Sequence, residues 1–266
     1  MTNHNGIGHS IAIVSGKGGV GKSTVSVNLA VALARSGART GLLDADIYGP
    51  SIPIMTGVHR MPHSKAGKIV PLEAHGLRLM SLGFLMPEGA PTVWRGPMVA
   101  GAIQQFLRDV DWGELDYLLI DLPPGTGDAQ LTLAQSLPLT GVIVVLTPQD
   151  VATQIANKAL AMFQQLKVPI LGILENMSRF VCPHCGTAAP IFKQGGGRRA
   201  SQELGVPLLG EIPLDPLVCQ ASDRGEPIVT AHPESPMADA FRHAAEAMVA
   251  RVKATAGSGP VIRIGP

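Results

Sequence analysis

Aromatic residues make up only 4% of the 266 positions, which leaves little to stack on the bases of single-stranded nucleic acid. Neither charge is in excess. The 21 Lys+Arg and 20 Asp+Glu give a formal net charge of +1, so no overall field draws the chain to DNA or to an anionic membrane. No apolar run approaches the ~20 residues that span a bilayer, and the first one, Ile11–Val14, is too short for the core of a secretory signal. These absences predict a soluble, cytoplasmic protein with neither nucleic acid nor membrane as partner. Cysteine is scarce as well. Three cysteines cannot all pair within one chain, and two stand as Cys182-Pro-His-Cys185, a spacing of metal or redox sites more than of a structural disulfide. What the sequence does have is apolar residues, 45% of the total, enough for the core of a single globular α/β domain.

Short β-branched or Leu-rich runs recur at Ile11–Ser15, Arg39–Leu43, Leu77–Ser81, Tyr117–Asp121, Val142–Leu146, Ile170–Leu174 and Leu208–Ile212. Several are continuous apolar stretches without alternation, as in strands covered on both faces. Helical patterns lie between them at Lys22–Ser36, Pro97–Val110, Ala129–Leu137, Val151–Leu166 and Arg198–Leu204, with a last one over Pro236–Lys253. Strand alternating with helix predicts a doubly wound, mostly parallel α/β sheet flanked by helices. In the last helix Met237, Phe241, Ala244, Ala245 and Met248 share one face, which reads as a core-packing surface. Gly49–Gly76 reads as a long loop, and Met177–Gly197, with the Cys pair and Gly195-Gly196-Gly197, as an insertion after a strand. The expected organisation is a flexible start over 1–10, one domain over 11–253 with the insertion at 177–197, and a frayed tail over 254–266.

The strongest signal is Gly16-Lys17-Gly18-Gly19-Val20-Gly21-Lys22-Ser23-Thr24, the phosphate-loop spacing, set between a strand and a helix as that spacing requires. Its glycines let successive N–H groups turn toward phosphate oxygens, and the helix N-terminus adds a positive dipole end. Lys22 would neutralise the β- and γ-phosphates of ATP, and Ser23 would hold Mg²⁺.

Lys17 is a further cation inside this loop. Here the sequence resembles the deviant Walker A family of dimeric ATPases, which includes nitrogenase iron protein and the Min and Par proteins. The resemblance implies a P-loop NTPase that dimerises around ATP, with Lys17 reaching into the partner's site. In Leu43-Asp44-Ala45-Asp46-Ile47-Tyr48-Gly49-Pro50-Ser51 two carboxylates follow a strand, where ligands bind in open α/β sheets. By the likeness Asp46 orients the attacking water and Asp44 lies near the Mg²⁺ water shell. Asp121 ends another buried strand, the place of a Mg²⁺-holding Walker B carboxylate, and Leu122-Pro123-Pro124-Gly125-Thr126-Gly127-Asp128 follows as a switch segment. Asn176 and the Pro213-Leu214-Asp215 turn are the positions that contact adenine in the resembling family; turn chemistry is the competing reading.

The cysteine pair departs from a plain ATPase. Two thiolates hold one face of a metal, and a four-thiolate site needs two more ligands. Cys219, alone in an apolar helical setting, reads as a small buried hydrophobe. A symmetric homodimer supplies the missing pair, because two copies of Cys182 and Cys185 make four thiolates around a shared [4Fe-4S] cluster. A zinc knuckle or a dithiol redox site fits the spacing too, and His184 reads as a turn residue. Taken in order, the deviant phosphate loop, Asp44–Ser51, Asp121–Asp128, Glu175-Asn176-Met177 and Cys182–Cys185 resemble the Mrp/ApbC family of iron–sulfur carrier ATPases, over about Ile11 to Val229. That likeness implies a weakly turning-over ATPase that passes a labile cluster to apo iron–sulfur proteins. The competing classes are a Min/Par-like spatial organiser, a dimeric ATPase switch with structural zinc, and a nucleotide kinase, which leaves Lys17 unexplained.

Overall fold

The computed structural model describes residues 6–47, 49–85, 96–125, 128–149, 161–182 and 184–256. Its centre is a nine-stranded sheet: β1 (Ile7–Val14), β2 (Thr40–Asp44), β5 (Leu72–Ala74), β6 (Leu77–Ser81), β7 (Leu115–Asp121), β8 (Gly141–Leu146), β9 (Ile170–Val181), β10 (Ala188–Ala189) and β11 (Leu208–Leu214). The order is β10-β9-β8-β1-β7-β2-β6-β5, with β11 also paired to β9. The central strands run parallel, and only β5 and β10 are antiparallel to their neighbours. The predicted doubly wound sheet is therefore present.

The continuous apolar runs follow from having two cores, one on each face of the sheet. Along β1, Ile11 and Ile13 enter one core while Ala12 and Val14 enter the other; along β8, Ile143 and Val145 oppose Val142, Val144 and Leu146. A strand whose side chains all leave water needs no polar alternation. The first core is closed by helices α1 (Lys22–Arg35) and α8 (Pro236–Ala256), the second by α3 (Gly96–Asp109) and α4 (Asp128–Ser136). The five residues assigned to the core face of the last helix are all buried.

Several boundaries differ from expectation. β1 begins at Ile7, so the flexible segment expected over 1–10 contributes four residues to the central sheet; Ile7 pairs with Leu115 and His9 with Tyr117. Gly49–Gly76 is not an unstructured loop. It holds the short helix α2 (Ile52–Met55), a small hairpin of β3 (Ser64–Lys65) and β4 (Lys68–Ile69), and the edge strand β5. These pieces are too short to show a periodicity, and Pro53 at the start of α2 suits the first helical turn, where no N–H partner is required. β9 continues seven residues past Leu174 because β11 pairs with it as far as Phe180. After α5 (Gly196–Leu204) and β11 come two short helices, α6 (Pro216–Asp223) and α7 (Ile228–Ala231). α8 runs to Ala256, so the first three residues of the expected tail are helical. Residues 151–160 of the expected Val151–Leu166 helix, residues 257–266 of the tail, Tyr48, Thr126, Gly127 and Pro183 lie outside the described residues. Among the described residues no helix is long and apolar enough to cross a membrane.

Candidate functional site

β1 ends at Val14 and α1 starts at Lys22, so the phosphate loop joins the central strand to a helix that the core surrounds. Gly21 sits at the N-cap of α1 with φ 79° and offers no capping side chain, leaving the first-turn N–H groups for an external acceptor. Gly19 also has positive φ, at 78°, a conformation that glycine adopts at little cost.

Behind the loop the charges converge on Asp121. Lys22 Nζ lies 2.7 Å from Asp121 Oδ1 and 3.7 Å from Asp46 Oδ2. Ser23 donates its hydroxyl to Asp121 Oδ2 at 2.6 Å, and Ser26 donates to Oδ1 at 2.7 Å. Lys22 is 5% exposed and Asp121 fully buried, so the two opposite charges meet out of water, each the other's nearest compensation. A hydroxyl and a carboxylate within hydrogen-bond distance, both oxygen donors, are the hard ligand set that Mg²⁺ takes beside nucleotide phosphates.

Asp44 is the other buried carboxylate. Its Oδ1 accepts the Asp46 N–H at 3.1 Å, and its Oδ2 accepts the Ser81 hydroxyl at 3.0 Å and the Ile52 N–H at 3.4 Å. Burial, reinforced by the neighbouring Asp121 charge, pushes its pKa up to about 8. The Asp44 oxygens pin the start of the Asp46 segment and of α2. Asp46 itself borders the cleft over the loop. Its pKa is raised by burial, against the pull of Lys22 in the other direction.

That cleft, about 190 Å³, is lined by Ser15, Lys17–Thr24, Asp46, Ser51, Met55 and Pro124. Lys17 Nζ donates to Gln149 Oε1 of its own chain at 2.7 Å. Gly125 donates its N–H to Ser15 O at 2.9 Å, anchoring the start of the switch segment to the end of β1. Thr126, Gly127 and the Asp128 side chain are not among the described groups.

Of the three residues expected to meet a base, only Asn176 reaches the loop: its Nδ2 donates to Val20 O at 2.9 Å. Pro213 and Asp215 do not line the cleft; they border a separate groove with Arg179, Val181 and His243. The Asp215 carboxylate caps α6 by accepting the Leu217 N–H at 2.8 Å, the turn chemistry weighed from the sequence.

The Cys pair closes the hairpin of β9 and β10. Cys182 N donates to Thr187 O at 3.0 Å, and Gly186 N, at φ 69°, donates to Cys182 O at 2.9 Å. Cys185 is exposed and Cys182 partly so. Hydrogen bonding with Thr187, whose Oγ1 lies 3.3 Å from Cys185 Sγ, lowers the pKa of the Cys185 thiol, which favours the thiolate that binds metal. Cys219, expected in the core, is exposed on α6, where its Sγ lies 3.7 Å from Asp223 Oδ2. Among the described residues no three His, Cys, Asp or Glu side chains group to hold a metal. Among the described residues, the hairpin thus presents two thiols without further ligands.

Three contributors were not read from the sequence. Ser26 lies one turn after Lys22 on a helix face that pattern alone shows as buried, and a hydroxyl there was the available signal. Gln149 follows the C-terminal end of buried β8, the edge where ligands gather. Ser81 closes β6 at the same edge.

The description NUBPL iron-transfer P-loop NTPase, of the ParA group, matches residues 6–249. The iron-sulfur cluster carrier protein of Deinococcus radiodurans is 52% identical over 249 residues, covering 93% of this chain and 71% of that protein. Among solved structures, a nucleotide-binding protein of Archaeoglobus fulgidus in complex with ADP, with cobalt found, is 40% identical. It superposes with a TM-score of 0.78 over 88% of this chain and 92% of that one. The cell division ATPase MinD of Pyrococcus furiosus, 24% identical with a TM-score of 0.69 over 91% of this chain and 99% of that one, shares the fold.

Proposed function

Because the chain belongs to the NUBPL iron-transfer family of P-loop NTPases, we propose that it is an ATP-hydrolysing carrier of iron–sulfur clusters that acts as a homodimer. One observation carries this reading: a phosphate-loop sequence whose Lys22 and Ser23 meet Asp121, and a pair of thiols, one exposed and one partly so, with no third ligand among the described residues, follow strands at the same edge of one sheet. Two copies on a two-fold axis supply four thiolates, the ligand count of a [4Fe-4S] cluster. The cluster is cargo, handed to apo-proteins. Zinc is the less favoured occupant, because a structural zinc site closes with four ligands from its own surroundings.

The loop amides and α1 N-terminus receive the phosphates of ATP, and Lys22, held in place by Asp121 and Asp46, neutralises them. Mg²⁺, held by Ser23 and through water by Asp121, would supply further neutralisation of phosphate charge. Asp46 stands at the cleft with a carboxylate whose proton affinity burial has raised, suited to accept a hydrogen bond from the attacking water. Lys17 exchanges Gln149 for the partner's phosphates on closure, placing a cation on developing charge in a water-poor interface. The exposed apolar residues Val181, Ile191 and Leu217 lie on the cysteine hairpin or just past β10 and β11, and Ile54 on α2 beside the cleft. They supply apolar surface for a subunit contact. The cytoplasm, where thiols stay reduced, suits such a site. A spatial-organising role of the Min type is supported by the fold alone.

The test is anaerobic reconstitution with iron and sulfide, with Cys182→Ala alongside. About two iron and two sulfide per chain, lost in the variant, are expected for one four-iron cluster per dimer. Tightly held zinc with no specific iron refutes the carrier reading. Lys17→Ala is expected to abolish hydrolysis while the cysteines still take up iron; wild-type hydrolysis in that variant refutes the role of Lys17 across the interface.

A further inference from the structure

The segment bearing Cys182 and Cys185 leaves the sheet and rejoins the fold against the nucleotide site. At its start, Asn176 donates to Val20 O inside the phosphate loop. The next loop residue has no room for a side chain on this side: a Cβ on Gly21 would clash with Asn176 Nδ2 and lie 3.6 Å from Met177 Cε. Gly21 is thus required twice, for its positive φ and for the room it leaves these two side chains. Met177 has φ 55°, and the pairing of β9 with β11 shifts register just beyond Asn176, so the strand is re-aimed at the point where it touches the loop.

The return of the segment is clamped beside its start. The buried Glu175 carboxylate accepts the Gly197 N–H. A Cβ on Gly197 would fall 2.8 Å from Glu175 Cβ, and one on Gly196 would fall 2.5 Å from Pro148 O. Pro148 precedes Gln149, the residue that holds Lys17. The glycine run that reads as loop in the sequence is therefore a fitted joint. Two buried hydroxyls nearby, Ser178 Oγ at the start of the segment and Thr147 Oγ1 next to Pro148, have no hydrogen-bond partner among the described residues.

We propose that Glu175 and Asn176 are positioning residues that couple occupancy of the phosphate loop to the placement of the two thiols. This rests on the carrier reading for its purpose, though not for its geometry. When the loop amides turn onto phosphate, Val20 and Gly21 move, and Asn176 carries that movement into the kink at Met177. Glu175 moves the returning foot with it, because the two residues are adjacent. The hairpin end is free to respond, since β10 pairs through only Ala188 and Ala189. Metal binding at the thiols then alters affinity at the loop by the same factor, as linkage requires.

The experiment uses the full, metal-free, reduced chain. Alkylation rates of Cys182 and Cys185 are followed by peptide-resolved mass spectrometry with and without saturating Mg·ADP, at a dilution where light scattering shows one oligomeric state throughout. Nucleotide is expected to change the rate at one or both thiols by about threefold or more, within the range packed networks carry. In Asn176→Asp, which keeps the shape and removes the donor, the change is expected to vanish, with ADP binding confirmed by titration. Glu175→Gln is expected to reduce it, and carries the test if the first variant does not fold. No response in the unsubstituted protein, or a full response in a saturated variant, overturns the proposal. Because no iron is present, this failure is separable from failure of the carrier reading, which iron uptake decides.

Discussion

Asp121 meets Lys22, Ser23 and Ser26, and Asp44 meets Ser81 and the backbone of Asp46 and Ile52, both carboxylates out of water. The cysteine hairpin, at the same edge of the sheet, is held by a two-residue strand, and its thiols reach solvent. The first region is over-determined, so that its groups are held in place before a nucleotide arrives, and such preorganisation costs nothing at the moment of reaction. The second is under-determined, with half the ligands a cluster needs. The carrier reading calls for both: a nucleotide site that is held in place, and a thiol pair completed from outside the chain.

The sharpest way to break the contrast is to remove a charge from the rigid region. Lys22→Met leaves Asp121 and Asp46 without their cation, and is expected to abolish nucleotide binding and destabilise the fold by about 3–5 kcal/mol, measured by denaturant unfolding. Asp44→Asn addresses the same region through pH. The folded carboxyl holds its proton up to about 8, against 3.8 for an ordinary one. Its contribution to stability is therefore full below 3.8 and is lost as pH rises through about 8. The asparagine variant has no proton to lose, so its stability relative to the unsubstituted protein should improve steadily over that interval; a parallel pH profile would show that Asp44 is ionised in the fold. In the hairpin, Cys182→Ala is expected to shift stability by no more than about 0.5 kcal/mol, as exposed substitutions do, while removing iron uptake. A large loss of stability would place the hairpin with the rigid region. Smallest is Thr187→Val, which takes a hydroxyl from the Cys185 thiol. The midpoint of its alkylation rate against pH should rise toward the ordinary thiol value.

The fold and half of the site were legible because their signals are contiguous. The loop from Gly16 to Thr24 carries its chemistry in nine consecutive residues, and the carboxylate of Asp121 is marked by ending a buried apolar run. What was not legible depends on pairs far apart in the chain. Ser26 and Asp121 are 95 residues apart, Lys17 and Gln149 are 132, and Asn176 and Val20 are 156. Cys219 was misplaced for a related reason: its neighbours are apolar in sequence, but exposed Leu217 and Cys219 itself point away from the core. Strands as short as β3, β4 and β10 carry no period to detect, and only a partner strand defines them.

The Asp121 cluster joins the end of β7 to the first turns of α1, elements 95 residues apart along the chain. Its four side chains come together only when the middle of the sheet and its covering helix have already docked. The nucleotide site is therefore a gauge of folding. During refolding, a fluorescent nucleotide should light up in step with the last cooperative phase and never ahead of it, and a chain arrested before that docking should be invisible to ATP.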